Sequence, residues 1–275
     1  MNNEIPEAKK PVQNPRAKKD RNNTSLLINS TVAFALAALV MIMIHEFGHA
    51  LAAISLGLHP VVRPFSVDSG AATNVQNIVI DLAGPLVSLV SGLVILATAR
   101  GGRGFWGLFW LWLGLQSVQE FSGYLTTAPF GGVGDIGDAL HTLNAPLWVG
   151  YVSFVVGLAG TFLLGRVATL RFLSFTDPAS AIPNQMRSVG LFAWLAGVLL
   201  ALILSIGSFD ASTTGIFEGF GVLASGIYLT TVRYYLPRVK GSGQRQELHF
   251  PVMGVALLLV LTILRLVILG PGLHL

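Results

Sequence analysis

The chain has 275 residues, of which 53% are hydrophobic and only 11% charged, with a mean hydropathy of +0.69. A soluble domain carries about a quarter charged residues, so this composition excludes one and points to an integral membrane protein. Cysteine is absent, which excludes disulfide scaffolds and thiolate metal sites and leaves His and carboxylate as the available zinc donors. The net charge of +4 does not mark a nucleic-acid partner, because the basic residues are sorted by loop rather than gathered in a patch.

Residues 1–25 are polar and basic, with Lys9, Lys10, Arg16, Lys18, Lys19 and Arg21. They read as a disordered cytoplasmic tail lying on anionic lipid. Treating them as the start of a cleaved signal peptide would discard the motif described below. Seven apolar segments follow, at about Leu26–Gly57, Gln76–Ala99, Phe105–Leu125, Leu147–Gly165, Leu191–Ser208, Gly215–Val232 and Val252–Leu269. Most are near the roughly 20 residues that a helix needs to cross hydrocarbon. Gly- and Pro-rich stretches separate them, RGGRG at 100–104, PFGGVGD at 129–135 and GSG at 241–243. The expected fold class is therefore all-α, a polytopic transmembrane bundle of about seven helices.

Placing the N-terminus inside puts 15 of the 17 Lys and Arg residues in inside segments. Arg63 alone falls outside, and Arg265 lies within the last helix. This asymmetry predicts a cytoplasmic N-terminus and an extracytoplasmic C-terminus.

The first apolar segment contains His45-Glu46-Phe47-Gly48-His49. On a helix, HExxH presents two imidazoles four residues apart on one face, where both can bind one zinc ion. The intervening Glu46 is then placed to accept a proton from water at that ion. Three ionisable side chains in hydrocarbon need a partner or a function, and a metal supplies both. As one helix the segment would be about 48 Å long against about 30 Å of hydrocarbon, so it must tilt, project or bend, with Gly48 the candidate bend. His45 and His49 then fall toward its outer end.

The second segment carries Asp81 and Gly84-Pro85, with Gly84, Ser88 and Gly92 recurring every four residues as a small-residue packing face. Asp81 suits two roles equally, capping its helix or bonding a metal-bound His through the other ring nitrogen. The third segment carries Gln116, Gln119, Glu120 and Gly123, one polar face expected to turn inward. It ends in TTAPFGGVGDIGDAL, which contains Asp135 and Asp138. With the charge-derived orientation, all these groups converge on the outer half of the membrane.

HEFGHALAAISLG, followed by a hairpin and AGPLVSL, then a helix ending in a Gly/Pro-rich stretch with Asp, resembles the site-2 protease family of intramembrane zinc metalloproteases. The resemblance covers about residues 26–145 and implies a three-helix catalytic core there, leaving 146–275 as a four-helix transmembrane region of unassigned role. It implies one zinc ion per chain, held by His45 and His49, with Glu46 as the general base. Asp135 matches the family's third ligand, and Gly84-Pro85 matches its GP element. Asp81, Gly84, Pro85, Glu120 and Asp138 are candidate contacts to the ligands or the substrate. Ser88 stands near where the family often has Asn, and the Asp motif reads GDIGD rather than LDG. Well-known members place the site toward the cytosol, whereas the charge pattern here places it outward.

From the residues themselves, Asp135, Asp138, Asp81 and Glu120 are all candidates for the third ligand. Gly131, Gly132 and Gly134 favour Asp135, since they let the backbone fold back toward the first helix. Asp138 could instead cap a short helix running to His141. The expected activity is zinc-dependent endoproteolysis of transmembrane protein or peptide substrates within or beside the bilayer. Two other readings are a transporter or channel lined by Asp81, Glu120, Glu218 and Arg265, and an inactive protease homologue that binds membrane proteins. Glu218 and Arg265 are also expected to pair at similar depth in neighbouring helices. The oligomeric state is not legible in the sequence.

Overall fold

The computed structural model describes residues 15–99, 102–177, 181–208, 221–238 and 248–275. It is an all-α transmembrane bundle. Five helices are long and apolar enough to cross a membrane, Asn23–Ser55, Asn74–Thr98, Leu147–Phe175, Ile182–Ser208 and Val252–Leu269.

The first helix, α1, runs continuously from Pro15 to Ser55. The tail expected to be disordered through residue 25 is thus helical from Pro15 onward. The Arg, Ala and Lys residues that follow Pro15 are strong helix formers. The helix stops at Gly57, which has φ of +77°. There Leu58 N–H bonds the Ala53 carbonyl and Gly57 N–H bonds that of Ile54, both at 3.0 Å, the paired closure that a left-handed glycine permits.

A short hairpin follows, β1 (Val61–Val62) against β2 (Val67–Asp68). Helix α2 (Asn74–Thr98) then starts at a capping box between Thr73 and Gln76. Helix α3 spans Gly104–Thr127 and α4 spans Gly134–Thr142. Helix α5 (Leu147–Phe172) packs on α3. The helical stretch Ile182–Ser208, here α6, and the last one, Val252–Leu269, here α7, both pack on α1. The final strand β3 (Leu273–His274) pairs with β1, so the three strands lie in the order β2-β1-β3. A hairpin between α1 and α2 was expected with the resemblance, whereas the pairing of β3 onto it was not. Two-residue strands have too little periodicity to be seen in a sequence.

Helix α1 is the axis of the bundle. Its residues Ala33–Leu39 are all buried, and α2 and α3 pack on it and on each other. Lipid tails are as apolar as these side chains, so packing and buried hydrogen bonds must hold the helices together. Asn29 Nδ2 donates to the His249 carbonyl at 2.9 Å, and Ser30 Oγ donates to that of Val189 at 2.6 Å. Trp112 Nε1 donates to Ser30 Oγ at 2.8 Å, and Gln116 Nε2 to the Phe34 carbonyl at 3.2 Å. Gln116, expected on a polar face of the site, is therefore a structural tie between α3 and α1.

The sixth apolar segment departs from the expected single helix. Residues 209–220, including Glu218, lie outside the described residues, and the expected Glu218–Arg265 pair lies there with it. From 221 the chain forms short helical pieces, tightening to a 3₁₀ turn at Ile227–Thr231. Trp194 Nε1 donates to the Leu223 carbonyl at 3.0 Å, an acceptor that a continuous α-helix would give to Ile227 N–H.

Candidate metal centre

His45 and His49 project from one face of α1 near its C-terminal end, one turn apart, and both are buried. Their Nε2 atoms lie 3.0 Å from each other. Asp135, in the first turn of α4, brings Oδ2 to 2.9 Å from His45 Nε2 and 3.2 Å from His49 Nε2. The three atoms form one compact donor set able to hold a metal ion.

The chemistry of the set fits a cation. Asp135 Oδ2 is buried and finds no aligned hydrogen-bond donor among the described residues. Two imidazole nitrogens and a carboxylate oxygen in such contact turn lone pairs toward one another unless a proton or cation lies between them. Sides of 2.9–3.2 Å suit bond lengths of about 2.0–2.1 Å to a common zinc ion. His49 Nδ1 lies 2.6 Å from the Ile80 carbonyl. A carbonyl only accepts, so Nδ1 carries the proton and Nε2 keeps its lone pair for the metal side. His45 Nδ1 lies 3.3 Å from Ser88 Oγ, which is fully buried.

Helix α2 makes this support possible through its small residues. A Cβ on Gly84 would run into the His49 imidazole. A Cβ on Gly48 would meet Gly84 Cα at 3.0 Å and the Ala83 carbonyl at 3.1 Å. The two glycines let α1 and α2 touch backbone to backbone beside the donors. Pro85, buried inside α2, has no N–H for the Asp81 carbonyl and disturbs the ladder within this turn. Gly48 therefore serves a close approach.

Asp81 fills neither role foreseen for it. Thr73 caps α2, and the Ile80 carbonyl, not the Asp81 carboxylate, takes the His49 ring proton. Asp81 and Glu120 are half-buried, and both feel the charge of Asp135, Asp81 with that of His49 and Glu120 with that of His45. Asp138 caps nothing, because α4 begins at Gly134 with Val133 before it. It is exposed and lies outside the donor set. Partial burial first, and then the charge of Asp135, push its carboxyl above the usual range. Gly131, Gly132 and Gly134 all have positive φ, which folds the chain back so that α4 packs on α2 and α3 and Asp135 reaches the histidines of α1.

Glu46 is buried next to the donors, with the charges of His45, His49, Asp135 and Arg265 all acting on it. Arg265, in α7, is itself buried. Its Nη2 donates to the Pro64 carbonyl at 2.7 Å, and its guanidinium lies 4.4 Å over the Phe65 ring. The last helix is thus tied to the hairpin tip, and its Arg265 charge acts on Glu46. Tyr124 is the site residue that sequence reasoning missed. Its ring stacks on His45, centroids 5.4 Å apart. Its only trace in the sequence is its place one turn after Glu120, which by itself does not distinguish it from an ordinary Tyr at a helix end.

No family model, curated protein or solved structure matches the chain.

Proposed function

We propose that this protein is a zinc-dependent intramembrane endopeptidase that hydrolyses peptide bonds of membrane-protein substrates. The observation that carries the proposal is the meeting of His45, His49 and Asp135 donor atoms within about 3 Å, with Glu46 buried beside them. The donors come from two elements almost ninety positions apart, and a core of packed side chains has no use for such an arrangement.

When bound, zinc would lower the pKa of a water molecule and polarise the scissile carbonyl. His45, His49 and Asp135 would hold the ion and leave one position of a tetrahedron open. Glu46 accepts the proton of the attacking water and returns it to the leaving amine. Ser88 and the Ile80 carbonyl hold the two imidazoles in their metal-facing orientation. A substrate helix hides its amides in its own hydrogen bonds, so it must unwind locally before Glu46 and its water can reach a carbonyl.

The test combines two measurements on purified protein. Metal analysis should find one zinc per chain in the wild type and none in His45→Ala. A model transmembrane peptide with helix-breaking residues at its centre should be cut by the wild type only. Metal-free wild-type protein with no hydrolysis would remove the reading and return attention to an intramembrane polar pathway.

A further inference from the structure

The site is not equally open on all sides. His45, Glu46 and His49 are each under one-tenth exposed, whereas Glu120, Tyr124 and Asp135 are half-buried. These three lie on α3 and α4, so the donor set is least covered on the side of Tyr124.

Tyr124 is held in place from two sides. Its ring lies nearly parallel to the His45 imidazole, at 14°. On the other side Gly134, with φ of +69°, wraps the loop around it, and a Cβ there would meet Tyr124 Cδ1 at 2.6 Å. The hydroxyl is consequently placed 3.4 Å from His45 Nε2, the nitrogen of the donor set, and not from the Nδ1 that faces Ser88. The carboxylates of Asp135 and Glu120 lie near the same hydroxyl. A cation on His45 Nε2 takes that lone pair, so the phenol O–H is left to the Asp135 and Glu120 carboxylates and to any carbonyl oxygen that enters beside the donors.

We propose that Tyr124 is a catalytic residue whose phenol O–H donates a hydrogen bond to the scissile carbonyl oxygen as it becomes an oxyanion. The inference rests on the peptidase reading above. The water oxygen forms a bond to the carbonyl carbon, its proton passes to Glu46, and the carbonyl π pair moves onto the oxygen that Tyr124 faces. The C=O bond then re-forms, the C–N bond breaks, and Glu46 gives its proton to the leaving nitrogen. Tyr124 keeps its own proton throughout. A donor that strengthens its bond as charge develops lowers the barrier without tightening ground-state binding.

Tyr124→Phe separates this from a packing role, because the ring that stacks on His45 is retained and only the hydroxyl is lost. The variant should keep one zinc per chain and cut the model transmembrane peptide with KM within about twofold of wild type. Its kcat should fall about a hundredfold, the usual scale for one oxyanion donor. A phosphinic version of that peptide, with the tetrahedral group at the bond mapped by mass spectrometry, should bind more weakly by about the same factor. Affinity for the uncut peptide, measured on the Glu46→Gln background, should not change. Wild-type kcat in Tyr124→Phe overturns the inference while leaving the peptidase reading intact. Loss of zinc, or equal weakening toward both peptides, overturns it in favour of packing. Wild-type protein without zinc and without hydrolysis brings down the peptidase reading, and this inference with it.

Discussion

At the scale of single residues, the proposed roles separate by what each substitution leaves behind. Gln has nearly the shape of Glu but cannot accept the water's proton. Glu46→Gln should therefore keep its zinc and lose turnover by at least about a hundredfold. Full proteolysis by the Gln variant would sink the assignment of the base. Asp135 and Asp138 form a matched pair of tests. Asp135 Oδ2 closes the donor triangle, whereas Asp138 is exposed and outside it. Asp135→Ala should lose metal and activity together, and Asp138→Ala should retain most of both. Stoichiometric zinc in folded Asp135→Ala would move the third ligand elsewhere, to Asp81 or Glu120. The HExxH residues were legible in the sequence because their spacing alone puts both imidazoles on one helix face. Tyr124 was not, because a Tyr at a helix end is ordinary until its neighbours across the fold are known.

At the scale of elements, α2 has two jobs, presenting an apolar face outward and supporting the His45 and His49 rings of the donor set with the other face. Its outward Leu86, Val90, Leu93 and Val94 are exposed, while Gly84, Ser88 and Gly92 are buried. The small-residue face was readable as a packing stripe, and its use is now specific. Gly84 admits the His49 ring, Ser88 meets His45, and Gly92 meets Ser117 and Val118 of α3. The three atoms nearest to an added methyl at Gly84 all belong to the His49 imidazole, so Gly84→Ala must displace His49. It should lower zinc affinity at least tenfold, measured by competition with a chelator. Gly123→Ala, with nothing within 4 Å of the new Cβ, is the matched control and should bind zinc as wild type does. If the two variants bind zinc alike, the packing of α2 against His49 does not support the site.

At the scale of the whole molecule, the strands decide which ends lie together. β3 pairs with β1, so the end of the chain sits beside the hairpin that follows the HExxH helix. Ala50, Val62 and Leu269 pack in one small apolar cluster at that end. The charge asymmetry of the loops predicts that this end is extracytoplasmic. An alkaline phosphatase fusion after Ala139 should be active, and one after Arg187 silent. The opposite pattern would turn the donor site toward the cytoplasm.

What the sequence by itself determined is the membrane class, most of the spanning helices and the HExxH face. These depend on composition and on spacings of a few residues along one chain, which local geometry alone converts into structure. Only the tertiary structure chose Asp135 over Asp138 for the donor set, gave the His49 ring proton to the Ile80 carbonyl instead of Asp81, and brought Tyr124 and Arg265 to the site. Those outcomes depend on how closely two helix backbones approach and where a glycine loop turns back. No periodicity along the chain encodes such distances, because they are set by packing between residues far apart in sequence.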